Sequence, residues 1–343
     1  MTPQDAVKLL YQSEFGAAHL FSEPERVFNE LLREGAPMRD RAMEPDVEPI
    51  GDGFCRLGLA GTSYNGIAPE TVFRLFRRAT DPAYASPARF ADKRAQLMNC
   101  AVAQEMPFSA SDARAYLKEY EAAGCPAVRH SEQYRAAYAP AYRLVRAADA
   151  ALLPLLSAIG RRAPKPVIVA IDGACGSGKS TFAARLAELI DCNLFHMDDF
   201  FLPMAQKTPE RLAQPGGNCD AERFAAEVLA PLKTGEPFSY RPFHCHTQAL
   251  GDPIAVTPKR VTIVEGSYAL HPLLDSAYDL RVFLTVPSDL QRVRIIRRDG
   301  EAMWKRFESE WIPLEQRYFQ SFRISERCSF TFAPIDWMDT RQK

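Results

Sequence analysis

The sequence lacks a long hydrophobic run and a paired-cysteine motif. Its longest apolar runs, 150–159 and 167–171, are much shorter than the roughly 20 residues that a membrane-spanning helix needs. The eight cysteines are scattered without a C-x-x-C pair, so neither a zinc ribbon nor a disulfide framework is indicated. Asp5 and Glu14 interrupt the N-terminal segment, and no apolar stretch leads to a small-residue cleavage site. We therefore expect reduced thiols, a cytoplasmic location and no contact with a membrane.

An excess of one charge sign is missing as well. The 42 Lys and Arg residues balance 43 Asp and Glu residues, which leaves a formal charge of -1. A chain balanced in this way has no broad basic surface for a long nucleic acid, so any anion that it binds must be held locally. Internal repeats and low-complexity tracts are also absent. With 47% hydrophobic residues over 343 positions, we expect two domains, and a homo-oligomer stays open.

The first part of the chain has the apolar spacing of helices. Apolar residues recur three and four positions apart in four segments, 4–11, 25–33, Pro69–Arg78 and 111–122. Loops rich in Pro and Gly separate them at 35–53 and 124–126. His19, His130 and the turn 51–56 are noticeable here, and core or turn roles explain each of them.

A longer helical pattern over 142–159 ends at Gly160, and Pro164 and Pro166 prevent its continuation. We therefore predict a mostly α-helical module of unknown function at 1–141 and a second domain at 142–343.

The second domain alternates strands and helices. Segment 167–171 is a continuous β-branched run bounded by Pro and Gly, as in a strand buried on both faces. Further strands are predicted at 193–197, 260–264 and 280–286, and helices at 180–190, 221–229 and 289–298. This alternation predicts an α/β fold with a parallel sheet flanked by helices.

A phosphate-binding loop follows the first of these strands. Gly173 to Ser180 match G-x-x-x-x-G-K-S, between a strand and a helix. Glycines let successive backbone N–H groups face inward, and the helix N-terminus adds positive charge at the same place. We expect a P-loop NTPase fold in which nucleotide contacts come from Gly173, Ala174, Cys175, Gly176, Ser177, Gly178, Lys179, Ser180 and Thr181. Lys179 would contact the β- and γ-phosphates, and the Ser180 hydroxyl would ligate Mg²⁺.

Acidic residues follow two other strands at the same edge of the predicted sheet. Asp198 and Asp199 come after segment 193–197, where a carboxylate can accept a hydroxyl proton during phosphoryl transfer or can simply cap the next helix. Glu265 follows segment 260–264, in the Walker B arrangement that holds Mg²⁺ or its water.

These motifs and those after them resemble, in order, the uridine kinase and nicotinamide riboside kinase family. The matching stretches run from about Val167 to Phe322 and include D-D-F-F at 198–201, V-E-G-S-Y at 264–268 and W-I-P-L-E-x-x-Y-F at 311–319. By this resemblance Asp198 is the catalytic base, Asp199 lies near the metal or caps the loop, and Phe201 forms a wall of the acceptor pocket. The helical N-terminal module lies outside the resemblance.

The same resemblance suggests further contacts. Asp220, in a segment similar to N-F-D-x-P-x-A-F, would hold ribose hydroxyls, although it can equally be the N-cap of the following helix. Tyr240 and His246 match the nucleoside-pocket stretch Y-D-x-x-x-H-S loosely, because Arg241 stands where the family carries Asp. His244 and His246 also suggest a metal pair, but a loop role is the simpler interpretation.

The basic run 292–298 resembles the family's R-x-x-R-R-D lid, in which Arg294 and Arg298 would clamp the transferring group. The alternative is a solvated helix face. The resemblance as a whole implies an ATP- and Mg²⁺-dependent kinase acting on a primary hydroxyl, first of all the 5'-hydroxyl of a ribonucleoside. A pantothenate or sugar kinase of the same fold, and a nucleotide-gated regulatory or interaction protein, are the alternatives.

Overall fold

The structure is a computed structural model that describes residues 1–21, 23–35, 47–81 and 85–338. Within these ranges no helix is both long and apolar enough to cross a bilayer. The chain divides into two compact units, Met1–Arg161 and Arg162–Met338. Much of the predicted loop 35–53 lies outside the described residues, and its last part is a strand and a turn.

The first unit is mostly helical, as predicted. Its helices are α1 Pro3–Phe15, α2 Pro24–Gly35, α3 Leu59–Tyr64, α4 Pro69–Arg78, α5 Pro87–Val102, α6 Ala110–Ala122, α7 Glu132–Tyr138, α8 Ala147–Ala150 and α9 Leu153–Gly160. Helix α1 begins at a capping box in which Thr2 and Asp5 satisfy each other's backbone N–H groups. One face of α1 packs on α5 and α6 through Val7, Phe90 and Leu117.

A small antiparallel sheet in this unit was not predicted. Its order is β1-β2-β3, formed by Val47–Gly51, Phe54–Gly58 and Tyr142–Arg146. The predicted helix over 142–159 is therefore wrong in its first five residues, which pair with Phe54–Gly58. Five residues are too few for periodicity to separate a strand from a helix, and the partner strand lies far away in sequence. The unit boundary consequently falls after Arg161 and not before Tyr142.

The second unit is built on a five-stranded parallel sheet. Its order is β12-β11-β4-β10-β5, formed by Phe330–Phe332, Leu280–Leu284, Val167–Gly173, Val261–Glu265 and Cys192–His196. Every residue of Val261–Glu265 is buried, as expected of a strand covered on both faces. The α/β fold with a P-loop NTPase sheet is thus confirmed, and each of the four predicted strands is present within two residues of its predicted bounds.

Helices cover this sheet, and short hairpin strands form two two-stranded sheets separate from it. The helices are α10 Lys179–Leu189, α11 Pro209–Leu212, α12 Ala221–Phe224, α13 Ala230–Leu232, α14 Ser288–Asp299, α15 Glu301–Arg306, α16 Ile312–Phe322 and α17 Pro334–Trp337. The hairpin strands are β6 Phe238–Tyr240, β7 Phe243–His244, β8 Ala249–Leu250 and β9 Ile254–Val256, paired as β6-β9 and β7-β8. Stretches of π-helix, Ala225–Leu229 and Phe307–Trp311, join α12 to α13 and α15 to α16.

The strand order brings the candidate residues together. Strands β10 and β11 lie on either side of β4, although β5 follows β4 in the chain. The carboxyl ends of β4, β5 and β10 therefore open at one edge next to a topological switch point, where α/β sheets bind their ligands.

Candidate active site

The turn between β4 and α10 has the backbone of a phosphate cradle. Gly176 and Gly178 have φ values of 74° and 97°, in the left-handed region that other residues rarely adopt. A Cβ on Gly173 would lie 2.2 Å from the carbonyl oxygen of Leu284, so only glycine lets β4 and β11 approach here. The Ser177 hydroxyl is buried in the turn without a hydrogen-bond partner among the described residues.

Lys179 lies at the centre of this turn. Its ammonium donates to the carbonyl oxygens of Gly173 at 2.7 Å and Ala174 at 3.1 Å, and the residue is only 9% exposed. These carbonyls hold the charge of Lys179 inside the turn. The helix N-terminus adds to the positive potential there, which suits an anion.

A cavity of about 990 Å³ opens in front of the turn. It is in the upper part of the size range of small-molecule sites. Ten of the predicted site residues line it: Cys175, Gly176, Gly178, Lys179, Ser180, Thr181, Asp198, Phe201, His246 and Glu265. The predicted lid residues Arg294 and Arg298 line it too. The structure therefore places the phosphate loop, Asp198 after β5 and Glu265 at the end of β10 around one cavity.

Asp198 and Glu265 are neighbours at the edge of the sheet. Glu265 pairs in register with His196, and the His196 Nδ1 lies 2.5 Å from the Glu265 Oε1. This hydrogen bond raises the pKa of His196, against the effect of its partial burial. Desolvation by the surrounding protein and the Glu265 carboxylate raise the pKa of Asp198, while Lys179 and His196 lower it. Asp198 is thereby made a better proton acceptor than an isolated aspartate.

Six predicted site residues do not line the cavity: Gly173, Ala174 and Ser177 of the phosphate loop, and three residues outside it. Asp199 turns the other way, and its Oδ2 accepts the hydroxyl of Tyr240 at 3.2 Å. Tyr240 itself is buried, with its ring stacked on Phe200 at 5.5 Å. Asp220 caps α12 by accepting the N–H of Arg223 at 3.1 Å, and its other oxygen lies 3.3 Å from the guanidinium of the same arginine. Among the described residues these three therefore form a structural layer behind the site.

Sequence reasoning missed two residues on α16. The Glu315 carboxylate accepts the N–H of Cys175 at 2.9 Å and the hydroxyl of Ser267 at 2.5 Å. One turn later, the Tyr318 hydroxyl donates to Asp172 at 2.8 Å, and burial raises the pKa of that acid to about 6. The spacing of three residues in the W-I-P-L-E-x-x-Y-F stretch places both on one helix face, which is the signal that could have identified them.

The two predicted lid arginines differ in their contacts. Arg294 donates to the carbonyl oxygens of Gly176 at 3.0 Å and Ser177 at 3.3 Å, so it holds the outer side of the phosphate turn. Arg298 pairs with Asp299 at 2.8 Å, and its guanidinium lies 5.8 Å from the ring of Phe307. Both line the cavity, and they can also turn their donors towards an anion.

His246 lines the cavity together with its neighbour Cys245. Within residues 1–21, 23–35, 47–81 and 85–338, no three His, Cys, Asp or Glu side chains are grouped closely enough to hold a metal ion by themselves. His244 is the last residue of β7, and His246 lies in the turn that follows it.

Comparison with known proteins finds relatives that are similar to part of this chain. No protein-family model matches the chain. The uridine kinase of Ureaplasma urealyticum is 29% identical over 156 residues, which is 43% of this chain and 75% of the relative. The uridine kinase of Ligilactobacillus salivarius is 26% identical over 162 residues, 44% of this chain and 75% of the relative. A structure of D-glycerate 3-kinase from Cryptococcus neoformans covers 54% of this chain and 94% of its own, with 16% identity and a TM-score of 0.39.

The matched lengths of 156 and 162 residues are close to the length of the unit Arg162–Met338. The C-terminal half of this chain is therefore similar in sequence to uridine kinases, and its parallel sheet and phosphate loop have the P-loop NTPase fold.

Proposed function

We propose that this protein transfers the γ-phosphoryl group of ATP to a primary hydroxyl of a small acceptor in the presence of Mg²⁺, with the 5'-hydroxyl of a ribonucleoside as the first candidate. One observation carries the proposal. Lys179, at the phosphate turn, and Asp198, at the end of β5, line the same cavity. A phosphate-binding group and a proton acceptor in one space are the two parts that phosphoryl transfer to an alcohol requires.

The loop residues fit a triphosphate. The left-handed backbone at Gly176 and Gly178 lets N–H groups of the loop face inward. The Ser177 hydroxyl, which has no partner among the described residues, can donate a hydrogen bond to a phosphate oxygen. Ser180 and Glu265 line the cavity next to Lys179 and are the residues that would hold Mg²⁺, directly or through water. Mg²⁺ held there would supply positive charge that offsets the negative charge developing during the transfer.

The acceptor would bind on the wall of the cavity nearest to Asp198. Phe201 and His246 line the same cavity and are available to contact the acceptor. Asp198 would orient the acceptor hydroxyl and take its proton as the oxygen attacks the γ-phosphorus. Arg294 and Arg298 would stabilise the charge on the transferring group from the opposite side.

The test is incubation of the full chain with ATP, Mg²⁺ and single acceptors, namely uridine, cytidine, nicotinamide riboside, pantothenate, fructose and glycerate. ADP release and the mass of the phosphorylated product would be measured. We expect one class of alcohol to raise ADP release well above the rate with water alone. ADP release that no alcohol increases, with ATP bound, would contradict the kinase proposal and favour the nucleotide-gated alternative.

A further inference from the structure

One face of α1 in the N-terminal unit carries polar side chains into the interior. Asp5, Lys8 and Gln12 follow one another at spacings of three and four, which places them on the same side of the helix. They are 2%, 7% and 1% exposed. Polar groups buried to this degree normally have hydrogen-bond partners inside the protein.

Asp5 has its partners. Its carboxylate accepts the N–H and hydroxyl of Ser131 at 2.9 and 2.7 Å and the N–H of Thr2 at 2.9 Å, and His130 lies 3.2 Å away. These donors use the acceptor capacity of Asp5. Among the described residues Lys8 forms no ion pair with Asp5 or with another acid.

Gln12 is held in one orientation by its neighbours. Its Oε1 accepts two guanidinium donors of Arg56, at 3.0 and 3.3 Å, and the Tyr142 hydroxyl at 3.3 Å. The flipped amide would direct its NH₂ group at these donors, so the orientation is determined. The Nε2 of Gln12 therefore faces away from Arg56, where it is buried and no acceptor from the described part of the chain reaches it.

His19 has a buried nitrogen of the same kind as Gln12. Its Nδ1 has no partner among the described residues, and its ring lies 5.1 Å from that of Tyr11. Burial and the charge of Lys8 lower the pKa of His19 to about 4, so His19 is neutral at pH 7 and can donate from Nδ1 in one tautomer. Lys8 thus lies close enough to act on His19.

We propose that Lys8, Gln12 and His19 form a binding site for an oxyanion, the carboxylate or phosphate group of a small molecule. Ammonium, amide NH₂ and imidazole N–H groups are all donors, and a ligand with several acceptor oxygens satisfies them together. The charges of the residues around this site also favour an anionic ligand. Lys8 and Arg56 are both buried cations, whereas Asp5 is already hydrogen-bonded, and Glu48, which pairs with Arg56 at 3.3 Å, is 56% exposed. The site belongs to the N-terminal unit and does not depend on the proposed kinase function.

Isothermal titration calorimetry of the full chain tests the proposal, with inorganic phosphate and succinate as separate probes. The protein carries Lys179→Ala throughout, so that phosphate binding at the P-loop does not obscure the result. We expect one probe to bind and Lys8→Met and Gln12→Leu each to weaken it at least tenfold. Lys118→Met is the matched control, because Lys118 is an exposed lysine of the same unit. Binding of phosphate alone would identify a phosphate ligand, and binding of succinate alone a carboxylate.

A second measurement separates a ligand site from a structural one. Burial and the nearby charge of Arg56 lower the pKa of Lys8 to about 8, so the protein disfavours this charge in the ligand-free state, and Lys8→Met should raise its Tm while removing the binding. Binding of neither probe, equal binding by Lys8→Met and the control, or a lower Tm for Lys8→Met would each overturn the proposal.

Discussion

The Glu315 carboxylate accepts the backbone N–H of Cys175 at 2.9 Å, so an acid on α16 is bound to the phosphate turn 140 positions earlier in the chain. The same carboxylate accepts the Ser267 hydroxyl and is 5% exposed. One side chain therefore links the loops that follow β4 and β10.

Replacement of Glu315 tests this link. Glu315→Ala leaves the Cys175 N–H buried without a partner, and we expect the free energy of unfolding to fall by about 3 kcal/mol. Glu315→Gln should lose less, because its amide can accept from Cys175 and donate to Ser267. Urea unfolding measures both. Glu310→Ala, which removes an exposed carboxylate from the same segment, should change stability by less than about 0.5 kcal/mol. Equal losses for Glu315→Ala and Glu310→Ala would show that the link contributes nothing.

Neighbouring aspartates allow a matched test of the proposed base. Asp198→Asn should lower kcat about a hundredfold or more and leave the affinity for ATP nearly unchanged, because it removes only the proton acceptor. Asp199→Asn should change kcat by less than about threefold, since an asparagine oxygen still accepts the Tyr240 hydroxyl. Steady-state kinetics with the acceptor found in the panel measures both. A larger effect at Asp199 than at Asp198 would reverse the two roles.

The His196 and Glu265 pair predicts a pH dependence of stability. The pKa of His196 is raised in the folded protein, so the pair stabilises fully below the unfolded pKa of about 6.5 and the contribution is lost as pH rises through the folded pKa. We expect Tm to fall more steeply above pH 6.5 in the wild type than in His196→Gln. His246→Gln is the control, because no described acid pairs with His246. Identical slopes in wild type and His196→Gln would show that the pair does not form.

Asp220 separates the two roles that the sequence left open. Asp220→Ala removes the N-cap of α12 and should cost about 1 kcal/mol of stability. The KM for the acceptor should stay within about twofold, because the carboxylate is bound to Arg223 and does not line the cavity. Denaturant unfolding and kinetics on the same samples measure the two effects. A tenfold rise in KM with unchanged stability would place the acceptor's hydroxyls at Asp220 after all.

The sequence predicted the parts of the site whose geometry is local. Gly176, Gly178 and Lys179 are close in the chain, and a strand before and a helix after them determine the turn. Glu265 and Asp198 were placed at one edge because parallel strands share their carboxyl ends. These predictions agree with the structure because they required only the order of strands and helices along the chain.

Other features depend on side-chain directions that no short motif contains. Asp198 and Asp199 are adjacent, and a 3-10 turn at Met197–Phe200 sends one towards the cavity and the other towards Tyr240. The contact of Glu315 with Cys175 spans distant segments and depends on how α16 packs. Likewise, Tyr142–Arg146 is a strand because Phe54–Gly58 lies beside it, which the spacing of its own residues does not reveal.

Helix α16 has a practical consequence for shortened forms of this protein. Glu315 and Tyr318 hold the two ends of the segment from Asp172 to Cys175, and both belong to the last tenth of the chain. A protein that ended at residue 311 would still contain the complete phosphate-loop motif. It would lack the hydrogen bonds that Glu315 and Tyr318 make to Cys175 and Asp172. A motif search alone would identify such a fragment as a nucleotide-binding protein, although the helix that holds its phosphate turn would be missing.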